Sequence, residues 1–164
     1  MFRLSARADP AFLAEMLYEA VNWYDDGAEE RPSLETTLAT PENARYVDGW
    51  GRAGDVALCA LDGRDEPIGA AWYRRFPSDA PGYGFVADDV PELAVAVYPE
   101  FRRQRVGGLL LGALLARAAR DGERGLSLSV NPDNPAKRLY ARSGFEVVSD
   151  IGNALTMFND LASF

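Results

Sequence analysis

Between Val97 and Ala118 the chain reads VYPEFRRQRVGGLLLGALLARA. Arg102, Arg103, Gln104 and Arg105 stand just before an adjacent glycine pair, Gly107 and Gly108, where a dense apolar pattern with helical spacing begins. Glycine inside a helix costs up to about 1 kcal/mol relative to alanine, so a pair in the first turn calls for a reason. The first amides of a helix have no partner within it and lie at the positive end of its dipole. A residue without Cβ lets an anion approach them, and arginine forks match phosphate oxygens. A strand feeding a helix through such a turn is an anion site, most naturally for a pyrophosphate.

The segment lacks G-x-x-x-x-G-K-[ST], the phosphate loop of nucleotidases, and G-x-G-x-x-G is absent too. Taken alone it also fits a basic, solvated helix start with glycines for packing. Other chemistry-bearing residues flank it. Glu92 opens the apolar run Leu93 to Val97 that leads into the turn. Asn131 and Asn134 sit among Pro132 and Pro135, and Lys137, Arg138 and Tyr140 follow. With no histidine and one cysteine, Cys59, zinc spacings and His-based triads cannot be built, and no metal is expected.

The spacing Val97-x-Pro99-x-x-Arg102-x-x-x-x-Gly107-Gly108, then a strand, then Asn131 to Asn134, Ala136, Tyr140 and Gly144-Phe145-Glu146, resembles the GCN5-related N-acetyltransferase (GNAT) family. The likeness is specific over residues 92–148 and rests on element order alone before them. It implies that the turn Arg102, Arg103, Gln104, Arg105, Val106, Gly107 and Gly108 wraps the pyrophosphate of acetyl-CoA. It implies further that the backbone of Val95, Ala96 and Val97 pairs with the pantetheine arm, with the Val97 amide as oxyanion donor. Tyr140 matches the family's general acid, and Glu92 its carboxylate base, which often works through water. Asn131 and Asn134 would read the pantetheine amides, and Lys137 and Arg138 would meet the adenosine phosphate. The family's first turn glycine falls at Arg105, which either keeps a compatible backbone and adds a phosphate contact or weakens cofactor binding.

Each role has a plainer alternative. Tyr140 also reads as a packing tyrosine beside Leu139 and Phe145, and Glu92 as a surface charge beside Asp88 and Asp89. Asparagines among prolines serve turns through their own side-chain hydrogen bonds, and Lys137 and Arg138 suit solvent.

The implied reaction is attack of a neutral amine on the acetyl thioester. An alkyl amine with a pKa of about 10 is only about 0.1% neutral at pH 7, so a group must take its proton. The first half of the chain supplies Trp23, Tyr24, Asp25, Asp26, Glu29, Glu30, Trp50, Trp72, Tyr73 and the loop 77–91. Acidic and aromatic groups bordering an acceptor pocket would attract a cationic amine. The same residues also read as scattered core aromatics and solvated acids.

These groups need elements to place them. A short strand over 2–5 precedes a helix started by Asp9-Pro10, with Phe12, Leu13, Met16, Leu17, Ala20 and Val21 at helical spacing. Ser33 begins a short second helix, and Pro41 to Gly54 is a third helical or irregular piece. Val56–Leu61 and Pro67–Tyr73 read as a hairpin, and residues 77–91 as a long Gly/Pro/Asp loop. Leu93–Val97 is a strand, the Gly-pair helix runs to Asp121-Gly122, and Leu126–Val130 is a strand. Ala136–Arg142 is a helix, and Glu146–Val148 and Ala154–Phe158 are closing strands. Gly108-x-x-x-Gly112 reads as a close-packing face of the long helix. This order demands one parallel pair with a right-handed crossover in an otherwise antiparallel sheet. The fold class is α/β (α+β), a GNAT-like mixed, mostly antiparallel sheet of about six to seven strands with about four flanking helices.

At 164 residues the chain fits one domain: residues 1–92 the acceptor half, 93–148 the acyl-CoA core, 149–164 a last strand. Net charge is −8, divided between 18 acidic and 8 basic residues over 1–92 and 7 acidic and 9 basic over 93–164. That balance argues against nucleic-acid binding, and no apolar run approaches membrane-spanning length, so a cytoplasmic protein is expected. The main expectation is an acetyl-CoA-dependent N-acetyltransferase acting on a small-molecule or peptide amine, with a homodimer compatible with the resemblance. A non-catalytic acyl-CoA-binding or sensing domain, or a nucleotide- or partner-binding turn, remain the alternatives.

Overall fold

A computed structural model describes residues 1–24 and 31–162. The first half runs β1 (Arg3–Ser5), α1 (Pro10–Val21), α2 (Leu34–Ala39), α3 (Pro41–Ala44), β2 (Val56–Leu61) and β3 (Pro67–Arg74). The second runs β4 (Glu92–Val97), a 3₁₀ turn (Pro99–Phe101), α4 (Val106–Arg120), β5 (Gly125–Val130), α5 (Ala136–Arg142), β6 (Glu146–Asp150) and β7 (Leu155–Asp160). The strands form one sheet in the order β1-β2-β3-β4-β5-β7-β6. Every neighbouring pair is antiparallel except β4 with β5. The expected mixed sheet with a single parallel pair is therefore present, and five α-helices flank it among the described residues, the extra one being the single turn α3.

Local chemistry starts the helices where the residues suggest. The Asp9 carboxylate accepts from the Ala11 amide at 3.0 Å, and Ser33 Oγ accepts from the Thr36 amide at 3.0 Å. Successive strand residues point to opposite faces, so the sheet carries two cores. Ile68, Leu93 and Val97 face α4, whose Val106, Leu110, Leu111, Leu114 and Ala118 are buried against them. Ala57, Ala70, Trp72 and Ala96 face the other way, onto Phe12, Leu13, Met16 and Leu17 of α1. No helix among the described residues is long and apolar enough to cross a membrane.

One expectation narrows here and another changes. Of the helical and irregular readings of Pro41 to Gly54, the irregular one holds beyond Ala44, where the chain wraps a buried arginine. Arg74 grips Asp55 with two bonds, at 2.5 and 3.1 Å, and donates to the Arg45 and Asp48 carbonyls at 3.0 and 2.7 Å. The Trp50 ring lies 5.1 Å from its guanidinium carbon. Gly112 does not belong to a packing face: it is exposed, with open space where a Cβ would sit.

The parallel pair positions the site. Its register has a single partnership, Glu92 with Ser127, where the Ser127 amide donates to the Pro91 carbonyl at 3.0 Å. Past that point β4 and β5 part, and a cleft opens between them.

Candidate active site

The cleft has a volume of about 1460 Å³ and runs from the start of α4 to the C-terminal part of α1. Its edge along β4 follows from strand alternation. The Tyr98 amide donates to the Ile68 carbonyl on β3 at 2.9 Å, while the Pro91 carbonyl serves β5. Backbone groups alternate sides along a strand, so those of Val95 and Val97, beyond the pairing with β5, point away from β3, into the cleft. Ala96 turns its backbone to β3 and its side chain to α1, so its amide is not offered to the cleft with those of Val95 and Val97.

At one end the start of α4 lacks any side-chain cap. Its preceding residue, Arg105, adopts the left-handed conformation with φ 66°, and Arg103 does so with φ 62°. This is the region that glycine occupies freely, so an arginine holds the turn that the family gives to glycine. Gly107 and Gly108 have ordinary helical φ, and a Cβ on either would meet only Leu139, at 3.6 Å. Neither backbone conformation nor internal crowding accounts for the pair. What the missing Cβ atoms leave open is the approach from the cleft to uncapped amides, beside the exposed Arg103 and Arg105. These residues fit the diphosphate of coenzyme A by chemistry and by the space left for it.

The remaining candidates divide. Arg102 turns inward: Nε donates to the Val97 carbonyl at 3.1 Å and a terminal nitrogen lies 3.2 Å from Glu19 Oε2. Gln104 donates to the Glu100 carbonyl at 3.3 Å, and neither Gln104 nor Lys137 lines the cleft. Asn131 and Asn134 do line it, yet each spends its side-chain oxygen on its own turn, accepting from Asp133 and Ala136 amides at 2.8 and 2.9 Å. Tyr140 lines the cleft edge-on to Phe145, and burial pushes its phenol up to about 12. Val106 is part of the core under the turn.

Glu92 is not a surface charge. It is 1% exposed, and Oε1 accepts from the Tyr46 hydroxyl at 2.9 Å and the Gly84 amide at 2.6 Å. Burial pushes its carboxyl up to about 7, against the opposing pull of those two donors. The cleft end beside it is formed by Tyr46, Tyr83, Asn43, Glu19 and Trp23. Tyr83 donates its hydroxyl to Asn43 Oδ1 at 2.8 Å and its amide to the Tyr46 oxygen at 2.8 Å, with the two rings stacked at 6.2 Å. Glu19 is held by Arg31 and Arg102.

Of the aromatic residues expected here, Trp23 is present, while Trp72 and Tyr73 are core at 1% exposure and Trp50 lies against Arg74. The reason is the alternation of β3, which buries both faces. Asp25, Asp26, Glu29 and Glu30 lie outside the described residues. Tyr83 comes from the loop 77–91 expected on the acceptor side, whereas Tyr46, Asn43, Glu19 and Arg142 of the cleft wall were not marked by any motif; a tyrosine followed by no pattern carries no signal until the fold brings it to Glu92.

Comparison with known proteins agrees with this geometry. The model of the acetyltransferase (GNAT) family matches residues 15–145. A mycothiol acetyltransferase of Brachybacterium faecium is 39% identical over 125 residues, 75% of this chain and 33% of that protein, so the chain spans about a third of the relative's length. The crystal structure of PaiA N-acetyltransferase from Thermoplasma acidophilum in complex with coenzyme A superposes with a TM-score of 0.67 at 18% identity, covering 98% of this chain and 99% of that one. A GNAT superfamily phosphinothricin acetyltransferase from Sinorhizobium meliloti in complex with acetyl-CoA gives 0.65 at 21% identity, covering 97% and 88%. The uncapped Arg/Gly helix start, the parted strands and the match over most of the sequence agree: this chain belongs to the GNAT acetyltransferase family.

Proposed function

We propose that this protein transfers an acetyl group from acetyl-CoA to a primary amine of a small molecule or peptide, both held in the cleft where β4 and β5 part. The observation that carries the reading is one cleft bordered both by an uncapped, glycine-opened helix start and by the free backbone edge of an interior strand. The Gly107 and Gly108 amides with Arg103 and Arg105 hold the diphosphate. The Val95 backbone and the amide groups of Asn131 and Asn134 hold the pantetheine arm. Bound acetyl-CoA supplies the activated acyl carbon. The Val97 carbonyl is already taken by Arg102, which leaves its N–H to donate to a carbonyl oxygen gaining negative charge.

Tyr140 keeps a neutral hydroxyl at neutral pH and lends its proton to the departing sulfur. The amine enters at the other end, beside Tyr46 and Tyr83, where aromatic faces favour a cation; the Glu19 carboxylate there is committed to Arg31 and Arg102. The acetyltransferase names of the relatives support the reaction class, and their differing acceptors leave the amine to be found by assay.

Calorimetric titration with acetyl-CoA, CoA and ATP, on wild type and Gly107→Glu, followed by an acetylation assay over a panel of amines, tests this. The CoA species bind, ATP does not, and Gly107→Glu abolishes binding. Cationic amines are acetylated, and Tyr140→Phe slows turnover at saturating acetyl-CoA. Absence of CoA binding overturns the reading; binding without turnover on any amine replaces it with a non-catalytic acyl-CoA-binding domain.

A further inference from the structure

The carboxylate best suited to accept the amine's proton does not itself reach the cleft. The backbone of the 77–91 loop lies directly on Glu92: a Cβ on Gly82 would fall 1.9 Å from Oε2. Glu92 is absent from the cleft wall, whereas Tyr46 is part of it and hydrogen-bonds to Glu92. A phenol oxygen offers one donor and two acceptor positions. Tyr46 gives its donor to Glu92 Oε1 and one acceptor to the Tyr83 amide, which leaves one acceptor position. Its ring is fixed edge-on against Phe76 at 5.0 Å and stacked on Tyr83, so the hydroxyl is held in place.

We propose that Tyr46 is a catalytic residue of the transfer, relaying a proton from the amine in the cleft to Glu92. The inference rests on the acetyltransferase reading above. In the step, an N–H bond of the ammonium group breaks as an O–H bond forms at Tyr46, and the proton originally on Tyr46 passes to Glu92 Oε1. The electron pair stays on nitrogen, which becomes the nucleophile. Ammonium and carboxylate become amine and carboxylic acid, Tyr46 ends as it began, and no electrons are exchanged with any other group.

Three features favour a relay over a purely structural clasp. Glu92 Oε2 is buried and makes no well-formed hydrogen bond among the described residues, although the Gly82 amide lies close enough to pull the carboxyl's pKa down, so the carboxylate is less than saturated. Its carboxyl, at about 7, suits a base working near neutral pH. Tyr46 is pushed well above the usual tyrosine range by burial and then by the Glu92 charge, so it passes a proton on and does not hold the negative charge itself. The groups facing this pair are Tyr83 and Arg45, with Arg74 the cross-strand partner of Glu92 and committed to Asp55.

The test compares wild type, Tyr46→Phe, Glu92→Gln and the double variant with an accepted amine from pH 5.5 to 9. Wild-type kcat falls below pH 7 along an acid limb; the chain has no histidine to supply one. A relay predicts that each single variant loses kcat by about 10²-fold and flattens the limb, with KM for acetyl-CoA unchanged. It also predicts that the double variant falls no further than the lower single, because both act on one proton path. Wild-type kcat and an unchanged limb in Tyr46→Phe overturn the proposal, as does a double loss equal to the product of the singles. Acetyl-CoA titration reports folding of each variant. If Tyr46→Phe does not bind, 3-fluorotyrosine at position 46 keeps the hydroxyl while acidifying it: a relay changes kcat on the plateau above the limb, whereas a tyrosine that only hydrogen-bonds Glu92 shifts the limb to lower pH and leaves the plateau as in wild type. A wild type that binds CoA yet acetylates no amine overturns the acetyltransferase reading itself, a result distinct from an active wild type indifferent to Tyr46.

Discussion

Arg105 combines two roles that the family pattern separates. Its backbone takes the left-handed turn, at a cost of about 1 kcal/mol for a residue with a Cβ, while its exposed guanidinium stands at the mouth of the cleft. Arg105→Gly therefore separates the two. The turn is relieved, so stability holds or rises by less than about 1 kcal/mol, while acetyl-CoA affinity falls roughly fivefold through loss of one charge. Calorimetry at low and high salt checks this, since a lost charge weakens binding mainly at low salt. The turn was legible in the sequence because arginine, glycine and an apolar run are chemically loud. Glu92 was legible only as a position: that it is buried, and that Tyr46 stands between it and the cleft, depends on a partner 46 residues away.

The loop 77–91 shows how an element without regular structure can define a site. Gly84 lies so close to β5 that a Cβ would sit 2.4 Å from the Leu128 carbonyl carbon and 2.6 Å from the Ser129 nitrogen. Its amide is also one of the two donors to Glu92. Gly84→Ala must lift the loop, at a cost of about 1–3 kcal/mol, and carries Tyr83 with it. Urea unfolding and steady-state kinetics should show lower stability and a higher KM for the amine, with acetyl-CoA binding retained at the far end of the cleft. Helices and strands were read close to their observed bounds because caps and periodicity are local. The 45–55 segment was not, since it is shaped by Arg74, a long-range anchor that looks like one more charged residue at a strand end.

Across the whole molecule, burying Glu92 ties stability to pH. Its folded pKa of about 7 stands above the unfolded 4.5, so the native state binds the proton more tightly. That contribution is complete below pH 4.5, declines above it, and is lost as pH rises through 7. Its size is about 3 kcal/mol at most. Glu92→Gln, which keeps an acceptor for Tyr46 and Gly84, should gain stability relative to wild type as pH rises from 5 to 8. Thermal unfolding of both proteins at the two pH values measures the difference.

The parting of the parallel pair has a further consequence. Among the described residues β4 is the fourth of seven strands, yet beyond its single pairing with Ser127 one of its sides has no strand neighbour. The backbone amides of Val95 and Val97 sit mid-sheet but face the cleft and not a strand, so their hydrogens should exchange faster than those of the paired strands beside them. A molecule laid along them would take the place of a strand that the chain does not encode, extending past Ser127 the continuity that one pairing alone gives the sheet.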